Sequence, residues 1–380
     1  MKTVTNTPLL AGALALAAMA ISLPASAVLL TPAQSLSFSG TATVTDTNPA
    51  AGATTNTGAY FGTVANSTSS FQKFNATTGV LTKTTVTVAS TRAPKITGNR
   101  VTGLTTQTAT GTGSSTPRIV LPTVSQTFVS TGTLNGICGG TGNPACGTTG
   151  YSVNGATSNI NSSVNVTNPT SLDAYVGASG TFDVVRMASM TVTSGGTAPS
   201  TTSTFSSTWN GTLSTIYEYL LHAAPSFEGG AGVNTLTIDF GSVLQYSSVS
   251  PLSFNLFNLG GANTTGLDLD SIVSSGDAAT LTTDLASFSS LAAGGGGSSF
   301  QAFFDTFNTG AFLSTFTLGF SDADIGAEST RYTSSNFGYL TLILKGNVLE
   351  LPSIPEPATL ALLGLGFAGL GMARRRRKDD

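Results

Sequence analysis

The chain of 380 residues carries 18 acidic and 15 basic side chains, only 9% of its length, for a formal net charge of −3. Ordinary soluble proteins are roughly 25% charged, so a salt-bridged cytosolic helical protein is excluded, and 21 Phe among many Val and Leu exclude disorder of the charged kind. What remains is an exported, mostly β protein with a surface of Ser, Thr, Asn and Gly. Charge divides the chain: residues 28–180 hold six basic against two acidic residues, and residues 181–357 three against fourteen. The halves are therefore expected to be different units. The basic half is too dilute for nucleic acid, which asks for a clustered patch.

Residues 1–27 have the layout of a secretory signal peptide. Lys2 supplies the positive start, Leu9 to Leu23 the apolar run, and Ala25-Ser26-Ala27 the small-residue cleavage site. Residues 28–221 follow as a Ser/Thr/Gly-rich β region. Leu36 and Phe38 alternate with serines, Val86 and Val88 with threonines, and Phe182, Val184 and Arg186 share one strand face. Arg118 to Ser130 is broken by Pro122, and Thr105 to Thr116 reads as loop. Trp209 precedes Asn210-Gly211, a pair typical of hairpin turns. Its indole is expected in a core or strand pair, with a sugar-stacking platform as the functional alternative. Cys138 and Cys146 enclose a Gly-rich loop, and in an exported protein they are expected to form a local disulfide.

Residues 222–233 form a junction that contains His222, the single histidine. A Ser-His-Asp triad would have to use it, yet no nucleophile elbow lies nearby, so a structural role is expected. From 234 to 351 the period-two pattern sharpens. Seven strands are predicted, over Leu236–Phe240, Leu252–Leu259, Leu267–Val273, Thr280–Phe288, Ser299–Phe307, Phe312–Phe320 and Tyr339–Val348. Seven short strands in about 115 residues suit an immunoglobulin-like sandwich. Asp268 with Asp270, and Asp322 with Asp324 and Glu328, are the carboxylate sets that could chelate calcium. The sequence departs from a calcium loop at Ile325, so turn capping is the favoured reading.

The last segment, 352–380, has three parts. Pro355-Glu356-Pro357 is stiff and extended, because both prolines fix φ and each restricts the residue before it. Ala358 to Ala373 is uncharged and reaches about 24 Å as a helix, short of the ~30 Å hydrocarbon core. Arg374, Arg375, Arg376, Arg377 and Lys378 can snorkel to close that gap and favour the cytoplasmic side. A single C-terminal transmembrane helix is expected from this run.

That layout resembles the PEP-CTERM sorting signal of Gram-negative bacteria, over Ile354 to Lys378 only. The family usually has Val where Ile354 stands. The resemblance implies that an exosortase, an integral-membrane cysteine transpeptidase, cuts near Pro355 to Pro357. It implies an inner-membrane precursor with the body outside the cytoplasm, then surface display or release, often alongside exopolysaccharide and biofilm. Leu236 to Val243 with Pro251 to Leu259 also looks like the opening of the immunoglobulin-like choice-of-anchor modules found before such signals. The expected function is thus non-enzymatic and without cofactor: structural or adhesive in a polysaccharide matrix. The alternative is a carbohydrate-binding module, calcium-dependent or not. A secreted hydrolase ranks last for want of acid–base groups.

Overall fold

The small and apolar residues of the first half line up on one side of long strands. In the computed structural model, which describes residues 27–48, 56–100, 107–130, 132–146, 150–198, 200–352 and 358–376, these strands are β1 (Leu29–Leu30), β2 (Gln34–Asn48), β3 (Asn56–Gln72), β4 (Val80–Arg100), β5 (Ala109–Val120), β6 (Ser125–Thr127), β7 (Leu134–Cys138), β8 (Tyr151–Asn154), β9 (Ser158–Val166), β10 (Thr181–Gly195) and β11 (Thr201–Leu220). One sheet runs β1-β11-β4-β8, with β2 also on β11 and β9 also on β4; the other runs β3-β10-β5-β6, with β7 also on β5. Their inner faces close on a core that includes Phe38, Val88, Ile96, Val184, Phe205 and Trp209.

The outer face of the first sheet explains how so few charges suffice. Thr41 pairs with Thr208, Thr45 with Thr204, Thr47 with Thr202 and Thr87 with Ser163, each hydroxyl to hydroxyl across neighbouring strands. Such cross-strand pairs contribute roughly 0.2–1 kcal/mol each and leave further lone pairs for water.

Two expectations fail in this half. Most of the supposed loop Thr105–Thr116 is strand β5, whose inward positions there are small, two of them glycines: a Cβ on Gly111 would stand 2.0 Å from the Tyr151 hydroxyl, and one on Gly113 would stand 2.2 Å from the Phe205 ring. The aromatic rings fill the space that a side chain would take, so no hydrophobic period shows. Asn210-Gly211 is not a turn either. It lies inside β11, where a Cβ on Gly211 would meet the Ala89 carbonyl at 2.4 Å, so the glycine answers to close strand approach rather than to chain reversal.

The second half forms β12 (Pro225–Ser226), β13 (Thr235–Leu244), β14 (Leu252–Asn258), β15 (Leu267–Gly276), β16 (Leu281–Thr283), β17 (Phe288–Leu291), β18 (Ser298–Phe304), β19 (Gly310–Asp322) and β20 (Leu340–Leu349). These make a sheet β12-β14-β18-β16 and a sheet β13-β20-β19-β15-β17, with β13 parallel to β20. Their shared core holds Phe254, Leu256, Leu269, Phe304, Phe316, Phe320 and Leu342. The strand expected over Thr280–Phe288 is two strands in different sheets. β16 pairs with β18, Asp284 then caps the Gln301 amide, and the chain crosses to pair β17 with β15.

The C-terminal helix spans Ala358–Arg376. Its apolar part ends where the arginines begin, and among the described residues no helix is long and apolar enough to cross a membrane. The expected transmembrane span is corrected accordingly: the run is helical but falls short of bilayer thickness.

Candidate functional site

The C-terminal helix is apolar around its whole circumference, and side chains 361–372 and Arg374 are all exposed. A helix without a polar face has no stable place on a water-facing surface. Arg374, Arg375 and Arg376 end it. Pro355, Glu356, Pro357 and Arg377 lie outside the described residues, as do residues 1–26 of the expected signal peptide.

The junction is built around His222. Its Nε2 faces the Ala76 carbonyl at 2.9 Å and its Nδ1 faces Asp322 at 2.8 Å, while Tyr332 stacks on the ring at 3.4 Å between centroids. Asp322 also accepts the Ala223 and Tyr332 amides, and its side chain is fully enclosed. The loop after β19 completes the link. Ala327 enters the first core and donates to the Leu81 carbonyl, Thr330 accepts the Leu81 amide, and Ser329 donates twice to Asp173. Gly326, at φ +63°, lies so close to the Leu81 carbonyl that a Cβ would stand 2.3 Å from it. These contacts are those of a structural clamp.

The calcium candidates are likewise engaged in the fold. Asp268 accepts the Ser290 amide, Asp270 accepts from Ser321, Asp322 serves the junction and Asp324 pairs with Arg331 at 2.6 Å. Burial pushes the Asp268 carboxyl up, against the pull of the Ser290 amide. Among the described residues no group of three or more His, Cys, Asp or Glu could hold a metal. Trp209 is 1% exposed and donates to Ser90 Oγ at 2.6 Å. It is a core residue, closed to any sugar. Cys138 and Cys146 are bonded and buried beside β5.

One further site was not read from the sequence. β8 ends at Asn154 and β9 begins at Ser158, so residues 155–157 leave the edge of β4 opposite Ala93-Pro94. A proline has no N–H to give a ladder, and the Pro94 carbonyl accepts the Gly155 amide as the chain swings away. Residues 126–130 and 132–134 face this break, with Phe128 edge-on to Trp209 at 6.0 Å. Between them opens a cleft of about 700 Å³ lined by Arg92, Gln126, Phe128, Leu134, Ser158 and Asn159 among others, none of them acidic. Arg92 is 3% exposed, and among the described residues its one acceptor is the Val129 carbonyl at a long 3.4 Å. Its Nε and Nη1, and the Ser158 Oγ, are buried without a partner. Burial pulls the Arg92 guanidinium down to about 10, which leaves it charged at neutral pH.

Residues 353–378 match the PEP-CTERM protein-sorting motif. No curated protein matches the chain. The motif supports export, surface targeting and processing by an exosortase.

Proposed function

With a protein-sorting motif at residues 353–378 as the premise, we propose that the chain is a non-enzymatic surface protein with a structural or adhesive role in an extracellular polysaccharide matrix. The observation that carries the sorting half is the order of parts at the C-terminus: a rigid acidic tripeptide, an apolar helix whose described side chains are exposed, and a cationic end. In this reading the apolar helix holds the precursor at the inner membrane, with Arg374 to Arg377 against anionic headgroups. The exosortase then cuts near Glu356 and frees the two sandwiches, the second of them an immunoglobulin-like surface module. The matrix half is supported by hydroxyl-paired outer strands, which offer a polysaccharide many neutral hydrogen-bonding groups and little charge.

Mass spectrometry of the C-terminus of protein collected outside the cell tests the sorting half. The expected terminus lies near residues 355–357, and Glu356→Ala or deletion of residues 374–378 should leave the precursor uncut in the membrane fraction. Exported protein that still ends at Asp380 would sink this reading. Saccharide binding is the second reading, favoured by the cleft beside Arg92.

A further inference from the structure

The first sandwich buries two arginines, and they are treated differently. Arg186 lies 4.1 Å over the Phe38 ring, donates to Ser69 Oγ at 2.9 Å and to the Asn66 carbonyl, and fills the place where β3 bulges away from β10. It is part of the packing. Arg92 has less support: two of its three nitrogens point to no acceptor, against the Nε alone in Arg186, and its cross-strand partner on β9, Ser158, has an orphaned hydroxyl as well. Both line the same cleft. A buried cation without a partner destabilises a fold by several kcal/mol, and unsatisfied buried donors are rare in native structures. Two adjacent donors of this kind on a concave surface free of carboxylates are in want of an acceptor from outside.

We infer that the cleft binds an acidic saccharide, a pyranose carrying a carboxylate, with the carboxylate taken by Arg92 and Ser158. The cleft is far larger than a lone inorganic anion and falls within the range that holds small-molecule ligands. Gln126, Thr127, Asn159 and Asn161 present amides and a hydroxyl suited to sugar hydroxyls, while Phe128 and Leu134 give an apolar wall for a ring face. The saccharide part of this assignment rests on the matrix role proposed above. The anion part rests on the orphaned donors alone.

Calorimetry on the full-length chain in detergent, with digalacturonate, its methyl ester and inorganic phosphate as probes, tests it. The acid should bind, and the ester should bind at least about tenfold more weakly, since a hydrogen bond to a charged group is worth roughly 1.5–3 kcal/mol. Arg92→Met should weaken the acid by about 10- to 100-fold while raising Tm by several degrees, because the uncompensated charge is gone. Ser158→Ala should weaken it several-fold without unfolding. Absence of saturable binding at millimolar acid, or equal binding by Arg92→Met, would overturn the inference. Phosphate binding as tight as the acid would overturn the saccharide part. Retention of the protein in the polysaccharide of whole cells is measured separately: retention without binding defeats the cleft, and binding without retention defeats the matrix role.

Discussion

The two sandwiches reach the same architecture by different means. The second packs Phe and Leu from both sheets, at roughly 1.5–3 kcal/mol for each such side chain buried, with ion pairs such as Lys345–Asp239 on its surface. The first mixes aromatics with glycine, alanine and serine at inward positions of its longer strands, includes a disulfide and two buried arginines in its interior, and covers its outer face with paired hydroxyls. Strand order follows from backbone pairing in both. What differs is the source of shape. In the second half it is side-chain volume, and in the first it is the close approach that small residues allow around a few large rings.

That contrast can be broken most sharply in the cores. Trp209→Ala and Phe320→Ala should each cost about 3–5 kcal/mol. Hydrogen exchange should show the loss confined to the sandwich that holds the mutation; equal deprotection of both would mean that the junction makes them one cooperative unit. A smaller effect is expected from the crosslink. Cys138→Ser with Cys146→Ser should lower stability by about 2–3 kcal/mol, in the first sandwich alone, as a shift in its denaturant midpoint. The smallest lies on the acidic half. The Gly241 amide first, and then Lys345, hold the exposed Asp239 carboxyl below the ordinary value of 3.8. Its contribution is therefore present above that pH and lost as pH falls below it. Asp239→Asn should lower Tm slightly at neutral pH and not at all in strong acid, a difference that a pH series of thermal scans would register.

The same contrast explains what could be read in advance. Leu236–Ile238–Phe240 and Phe316–Leu318–Phe320 announce their strands because every second residue is large and apolar. Gly111, Gly113 and Ser115 occupy equivalent inward places in β5, but small residues carry no period, and the segment looks like loop. Asn210-Gly211 misled for the same reason: glycine serves turns and tight strand contacts alike. The crossing between β16 and β17 was hidden because Leu281 to Phe288 is apolar enough for one strand. At the C-terminus, sequence order and chemistry sufficed to recognise the sorting motif, since its parts are local. The cleft depends on three distant segments, and its one sequence trace is Pro94 within an otherwise regular strand, two residues from Arg92.

The parallel pairing of β13 with β20 has a mechanical meaning. Past the two-residue β12, the chain coming from the first sandwich runs into one end of β13, and it leaves for the C-terminal helix at the opposite end of β20. Tension applied between the first sandwich and the tail acts along these two strands in opposite senses, so their hydrogen bonds are sheared together rather than opened one after another. The antiparallel partner β19 backs the same strand from its other side. Load that reaches the tail through β13 therefore meets several hydrogen bonds at once.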